Sequence, residues 1–556
     1  MFSYSFVSSV FFFQLPMKAF FKILIVYLVG IFFFSCNRYE EEGKSVFRYN
    51  EAAGITSLDP AFAKDQAMIW INSQLFNGLI QLDDHLQVKP AIAKEWTISP
   101  DGKTYTFFLR DDVYFHKHQL FNGKKRKVTA QDFVYSFLRV IDESVASPGA
   151  WIFSNIDFVD NKPAFIAEND SVFTIKIKNI FPPFLSLLGM PYCSVIPYEV
   201  AEHYGKDFRR NPIGTGPFQF KFWKEGVKLI LLKNPDYFEI DNTGNSLPYI
   251  DAVSVTFIVD KQTAFLEFIK GNLDFMNSID PAFKDELLTP NGELREKYQD
   301  KIVMSSEPYL NTEYLGFLME SKENSPFLNK KVRQAINYGF DRKKMIKYLR
   351  NNIGTPGEYG IIPPGMPGFD PEKMQGYTYD PRKAKELLAD AGFPNGEGLP
   401  ELVLSTTQTY LDLCKYIQQQ LGLIGLKVKV DVNPPGALRE QIAQSKISWF
   451  RGSWIADYPD AENYLSLFYS ANFCPLGPNY THYKNEKFDK LYVKARMQTN
   501  DSLRHILYQE MDRLLIDEAP FVILYYDQVA RFTHCNVHHI TTNPMNMLNL
   551  KYVEKE

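Results

Sequence analysis

Pro520-Phe521-Val522-Ile523-Leu524-Tyr525-Tyr526 is an apolar run of strand length, rich in β-branched and aromatic residues, near the end of a 556-residue chain. A strand this late must join a sheet laid down earlier. If that sheet begins before residue 300, the chain crosses between lobes more than once, and the crossings form a hinge. Two or more lobes are expected in any case, because one hydrophobic core stops growing at roughly 250–300 residues. Hydrophobic residues at 45% and charged residues at 23% exclude a mostly disordered chain. The 46 Phe and 32 Tyr imply large packed interfaces or aromatic recognition surfaces. With 61 Lys and Arg against 65 Asp and Glu, there is no basic excess to neutralise phosphates, which argues against a nucleic-acid partner.

Upstream of the late strand, strand and helix signals alternate. Lys103–Leu109 and Val113–Phe115 read as strands; Phe173, Ile175 and Ile177 alternate, as do Val253 to Val259 and Leu426 to Val432. Asp380-Pro381 supplies an N-cap and a first-turn proline, Ala384, Leu387, Leu388 and Ala391 keep helical spacing, and Gly392 ends the helix. Val332, Ala335, Ile336 and Gly339 make another such face, and Asp341 caps a further short helix. Gly354 to Gly368 is a long Pro/Gly-rich loop, and no internal repeat appears. The fold class is mixed α/β.

The N-terminus predicts export. Met1–Pro16 is Phe-rich and uncharged; Met17 then opens a short positive region with Lys18 and Lys22, an apolar run from Ile23 to Phe34, and Ser35-Cys36. This is the layout of a secretory signal with Met17 as the start, so 1–35 is a signal segment. A membrane span beginning near Phe11 would be interrupted by Pro16 and both lysines. Phe33-Phe34-Ser35-Cys36 resembles a bacterial lipobox, which makes Cys36 the lipidated residue and 36–45 a polar tether. Cys193, Cys414, Cys474 and Cys535 then allow three disulfide connectivities and show no metal spacing.

Several segments occur in a telling order: Ser57-Leu58-Asp59-Pro60, Ala93-Lys94-Glu95-Trp96 with Asp101-Gly102-Lys103-Thr104-Tyr105-Thr106-Phe107, Thr129 to Ser136, Asn211-Pro212-Ile213-Gly214-Thr215-Gly216-Pro217-Phe218, Asn234-Pro235-Asp236-Tyr237-Phe238, Ile269 to Asp274, Val332 to Ile336, and Asp341-Arg342. In that order the chain resembles the bacterial extracellular solute-binding proteins of the peptide/nickel type (solute-binding family five), the substrate-capturing subunits of peptide ABC transporters. The resemblance implies a two-lobe periplasmic-binding-protein fold of type II, peptide-binding cluster, with an extra subdomain in the first lobe. The corresponding boundaries are 46–305 for the first lobe with an insert at about 87–208, 306–520 for the second, and 521–556 for a return to the first. Ligands would bind in the cleft, and hinge closure would present the closed form to the permease.

No G-x-S-x-G, H-E-x-x-H or Walker pattern occurs, and an enzyme is not expected. Gly214-Thr215-Gly216-Pro217 reads as a tight turn with positive φ. His534-Cys535 with His538-His539 reads as a polar stretch, His116 and His118 as a partly exposed pair near a loop, and Lys124 to Lys127 as a solvated loop; no metal or cofactor is expected. The informative loop is Gly452 to Tyr464. The resemblance implies that Asp457 meets the ligand's α-ammonium, flanked by Trp454, Ile455, Ala456 and Tyr458. An aspartate there can also cap its own loop as an Asx-turn, and Asp460 reads as a turn residue after Pro459. Ala146 to Trp151 matches a segment that supplies a cleft aromatic from the other lobe; Gly149 stands where the family has tyrosine, with Trp151 as the substitute or a core aromatic. The expected protein is a monomeric, lipid-anchored periplasmic peptide binder of an ABC importer, with peptide and permease as partners. The other readings are a binder of nickel, haem or a saccharide, or a surface interaction protein reusing the fold.

Overall fold

The computed structural model describes residues 43–280, 282–320 and 325–556; the expected signal segment, 1–35, and Cys36 lie outside the described residues. In chain order the strands of the two main sheets are β1 (Val46–Asn50), β2 (Ala93–Ile98), β3 (Thr104–Leu109), β4 (Phe165–Asn169), β5 (Val172–Lys176), β6 (Phe218–Lys224), β7 (Lys228–Lys233), β8 (Ala252–Thr256), β9 (Phe275–Asn277), β10 (Ile302–Phe317), β11 (Leu402–Thr406), β12 (Val428–Val432), β13 (Trp449–Ile455) and β14 (Phe521–His534). The large sheet runs β6-β7-β8-β1-β9-β14-β10-β13-β11-β12, with Thr355–Pro356 joined to β14. The late apolar run is therefore the centre of this sheet.

β14 joins a sheet that begins before residue 300. Its far end pairs antiparallel with β9, Arg531 to Thr533 against Asn277 to Phe275, in a sheet laid down before residue 300. It pairs with the 16-residue β10 from Phe521 opposite Gly316 to His534 opposite Ile302, with irregular register near Pro308 and Glu313. Alternation divides its first half between two cores: Phe521 and Ile523 pack on one side with Tyr314 and Tyr464, Val522 and Leu524 on the other with Leu315 and Trp449. Ala530 and Phe532 enter another core with Phe268 and Ile302. The first lobe's main core gathers Phe47, Phe107, Val253 and, from the chain's end, Leu548, Leu550 and Val553. Two long paired strands thus run through both lobes.

Within the segment expected to be an insert, β2-β3-β5-β4 form a four-stranded antiparallel sheet. Against it lies the helix Ala130–Ile141, started by a reciprocal cap in which the Thr129 N–H and hydroxyl donate to the Asp132 carboxylate. Phe133 and Phe137 on one face of that helix meet Phe173, and Phe137 also meets Phe165, at ring separations of 5.5–5.7 Å.

Three expectations need correction. Val113–Phe115 is not a strand; only Tyr114 bridges Lys127. The alternation from Val253 stops at Thr256, and Val259 is exposed, because Asp260 accepts the Thr263 N–H and begins a helix. In the basic run, Arg126 is half-buried and bonds Asp132 and Glu199. Asp380 caps Pro381–Asp390, and Asp341 caps Arg342–Arg350, as read. Among the described residues all four cysteines are free thiols, three of them buried, and no helix is long and apolar enough to cross a membrane.

Candidate ligand-binding site

A cavity of about 170 Å³ brings together three distant parts of the chain. Asn77, Pro217 and Tyr237 come from the first lobe, Asp457 to Pro459 from the loop after β13, and Met547 and Lys551 from the returning C-terminus. It is therefore a cleft between the lobes, with mixed polar and apolar walls suited to a small organic solute.

The first-lobe wall explains the turn of glycines. Gly214 and Gly216 do not adopt positive φ, contrary to the sequence reading. They are glycines because the turn presses on the helix Gln66–Leu75. A Cβ on Gly214 would lie 2.1 Å from the Leu75 carbonyl oxygen, and one on Gly216 would lie 2.4 Å from that of Gln74. His116 fastens the same turn and is buried, not half-exposed: its Nδ1 accepts the Gly214 N–H at 3.4 Å, and its Nε2 bonds the Gly216 carbonyl at 3.0 Å. Desolvation holds it neutral, its pKa lowered to about 4. Asn234 donates to the same Gly216 carbonyl, and Thr215 donates to Asn77, which donates to the Tyr237 hydroxyl. The two most distinctive sequence segments therefore interlock to hold Asn77 and Tyr237 at the cavity. His118 separately meets the Tyr204 hydroxyl at 3.2 Å.

On the opposite wall, Asn463 organises the loop. Its Oδ1 accepts from Trp454 Nε1 at 2.8 Å and from the Asp457 N–H at 3.3 Å, while its amide donates to Asp457 Oδ2 at 3.4 Å. Asp457 does not cap its own loop. It is exposed to the cavity, and burial among surrounding protein atoms raises its carboxyl pKa, with the Asn463 bond pulling the other way. The neighbouring carboxylates are committed elsewhere. Asp460 is buried and accepts from Tyr508 at 2.6 Å, Arg504 at 3.2 Å and the Glu462 N–H at 2.9 Å. Glu462 is buried under the hydroxyls of Tyr458 and Tyr492, and desolvation raises its pKa. Of the three, Asp457 is the one that lines the cavity.

The other residues of the loop divide between cavity and support. Tyr458 lines the cavity and packs in the first lobe's core, its ring 6.4 Å from both Trp151 and Phe181. Trp151 is 43% exposed, so it is not a core aromatic; it stands beside Tyr458 without lining this cavity. Trp454 is half-buried and Ala456 buried, its N–H donating to Leu310, while Ile455 is exposed at the end of β13. At the departure from the family pattern, a Cβ on Gly149 would lie 2.4 Å from the Tyr192 ring. Tyr192 fills that space, and burial, then the nearby Asp457 charge, push its phenol up to about 12. Sequence reading missed Asn77 and Tyr237 as cavity residues, and Asn463 as the side chain that organises the loop. Tyr237 sat inside a quoted motif, but its partner Asn77 is 160 residues away. At the chain's end, His534 bonds the Phe268 carbonyl while His538 and His539 approach Glu556 and Glu554.

The profile of the bacterial extracellular solute-binding proteins, family 5 Middle, matches residues 87–473. The chain belongs to this family. The glutathione-binding protein GsiB of Salmonella typhi is 27% identical over 485 residues, 86% of this chain and 88% of that protein. Among solved structures, DppA of Helicobacter pylori in complex with the peptide STSA is 28% identical with a TM-score of 0.73, spanning 93% of this chain and all of that one. HbpA2 of Haemophilus parasuis, at 23% identity and a TM-score of 0.79 over 92% of this chain and all of that one, shares the fold. The two-lobe architecture is that of the periplasmic binding proteins of the peptide-binding cluster.

Proposed function

We propose that the protein is the peptide-capturing subunit of an ABC importer, with Asp457 receiving the ligand's α-ammonium. The observation that carries this is the exposed Asp457 carboxylate, held by Asn463 in a cavity walled by both lobes, beside two carboxylates already committed to buried networks. A relative at 28% identity holds a tetrapeptide, and another is named for glutathione, which supports a peptide or peptide-like solute. Peptides of different sequence share only backbone amides and charged ends, so one fixed carboxylate sets direction without selecting side chains. Tyr458, the residue after Asp457, places its ring 6.4 Å from Trp151 of the first lobe. In this reading the protein is a monomeric, non-catalytic lipoprotein of the cell envelope, tethered through Cys36 and delivering its solute to the permease. The second lobe begins near residue 306, and the return to the first lobe begins along β14. Mass spectrometry of the solute that co-purifies with the full chain tests the ligand class: peptides support it, and a metal, haem or saccharide in their place overturns it. Fatty-acid labelling tests the anchor; Cys36→Ala should abolish the label, and equal labelling of both forms would remove the tether from the proposal.

A further inference from the structure

A cluster of reactive side chains lies outside the cleft. Cys474 Sγ is 3.2 Å from His482 Nε2, and His482 Nδ1 is 2.6 Å from a Glu320 carboxylate oxygen. Ser445 Oγ completes the group, 3.3 Å from the sulfur and 3.1 Å from Nε2. The three segments that supply these residues are far apart in the chain; Glu320 and His482 are separated by 162 positions. The imidazole is fixed in place by the Phe473 ring, stacked 4.4 Å away and nearly parallel.

Thiol, imidazole and carboxylate stand in the order of nucleophile, base and orienting group. Both ring nitrogens face acceptors, since Nε2 also lies 3.2 Å from the Cys474 carbonyl oxygen. The ring can therefore take the thiol proton on Nε2 while the Glu320 carboxylate balances the charge at Nδ1. The other described cysteines are placed differently. Burial pushes the Cys193 and Cys414 thiols up, Cys414 to about 11, and Cys535 is an exposed thiol.

We propose that Cys474 is a thiol-exchange site that takes up a small disulfide. The Cys474 proton passes to His482, the thiolate attacks one sulfur of the incoming disulfide, and a protein–small-molecule S–S bond forms as the original S–S bond breaks. The departing thiolate recovers the proton from His482, so one disulfide and one thiol become another disulfide and another thiol. Cys474 is only 5% exposed, which limits the partner to a low-molecular-weight disulfide. The site lies beyond the opposite end of β13 from Asp457; that seven-residue strand alone spans roughly 20 Å, so exchange and solute capture are separate events.

The test uses the full chain carrying Cys535→Ser and the neutral probe 2-hydroxyethyl disulfide, with adducts located by peptide mass mapping. An adduct at Cys474 is expected, its formation rate falling less steeply between pH 8 and pH 6 than that of an unassisted thiol. An unassisted thiol, read from Cys535 in Cys474→Ser protein, should slow by about tenfold per pH unit. Glu320 is largely exposed, so Glu320→Gln should leave the melting temperature unchanged while restoring the steep pH dependence at Cys474. No Cys474 adduct under conditions that modify Cys535, or a Cys474 profile parallel to that of Cys535 and indifferent to Glu320→Gln, overturns the proposal.

Discussion

Replacing Asp457 with alanine removes the charge on which the proposed recognition depends. In the structure one of its oxygens accepts the Asn463 amide at 3.4 Å, the long edge of the hydrogen-bond range, so the carboxylate keeps most of its capacity for a ligand. A hydrogen bond between an ammonium and a carboxylate contributes ~1.5–3 kcal/mol. Truncation should cost more than the mean, because the bound ammonium would stay in the cleft without its partner. Asp457→Ala should therefore weaken free-amine peptides by at least about tenfold, where tenfold is ~1.4 kcal/mol. N-acetylated forms of the same peptides should bind wild type poorly and lose little more in the variant. Affinity also acquires a pH dependence with a definite sign. The pKa of the empty site is raised by burial, and an ammonium beside it lowers it, so binding is strong above the raised value and falls as pH drops through it. Isothermal calorimetry with paired free and acetylated peptides checks both effects. Equal losses for the two ligands would assign Asp457 to loop structure and refute the charge contact.

Asn463→Ala releases the Trp454 indole and the Asp457 N–H together; free-amine peptides should weaken by about three- to tenfold in calorimetry, with acetylated peptides little changed. Gly216→Ala places a Cβ 2.4 Å from the Gln74 carbonyl oxygen and should lower stability in urea denaturation by ~2 kcal/mol or more. Asp512 is fully buried and accepts the Ile361 N–H, and desolvation raises its pKa to about 7. Its contribution to stability is complete below the ordinary carboxyl range and is lost as pH rises towards 7, a penalty on the order of 4 kcal/mol. The melting temperature of Asp512→Asn relative to wild type should therefore climb between pH 4 and pH 7, and a constant difference would contradict it. His116 works in the opposite direction, its stabilisation present above pH 6.5 and lost as pH falls towards 4, so His116→Gln should lose more stability at pH 7 than at pH 4 in the same melts.

What could be read from the sequence was whatever repeats over a few residues. The alternation of Phe173 and Ile175 became β5 with both side chains buried, and Asp380-Pro381 became a capped helix start, because period and cap are local. The motif around Asp457 singled out a residue that lines the cavity. Residues whose roles arise only when distant segments meet were not. His116 reads as half-exposed until Gly214 and Gly216, about 100 positions on, close over it. Gly149 reads as a missing aromatic until Tyr192 packs into the space a Cβ would need. The glycines of the 214–217 turn were correctly singled out for the wrong reason: what excludes a side chain there is the carbonyl end of a helix, not the sign of φ.

The loop that carries Asp457 also carries the lobe contact, and this bears on how binding and closure are linked. Tyr458, the next residue, lies close to Trp151 and Phe181 of the insert, and its hydroxyl donates to buried Glu462. Glu462 begins the short helix that closes the loop, Asn463 follows it, and Arg496 reaches from the second lobe to within 5.2 Å of the Phe181 ring centroid. The group proposed to meet the solute and the ring that meets the opposite lobe are therefore adjacent residues of one segment, pinned at both ends by consecutive side chains. A flexible loop would let an ammonium bind Asp457 with no consequence for Tyr458. Here the two cannot move far apart, because Asn463 holds the backbone of one and Glu462 the hydroxyl of the other. A ligand shifts a conformational equilibrium only by the difference in its affinity for the two states. Under the proposed contact, an ammonium on Asp457 would act on the segment whose next residue, Tyr458, meets Trp151 and Phe181, and that is where a difference in affinity between arrangements would arise.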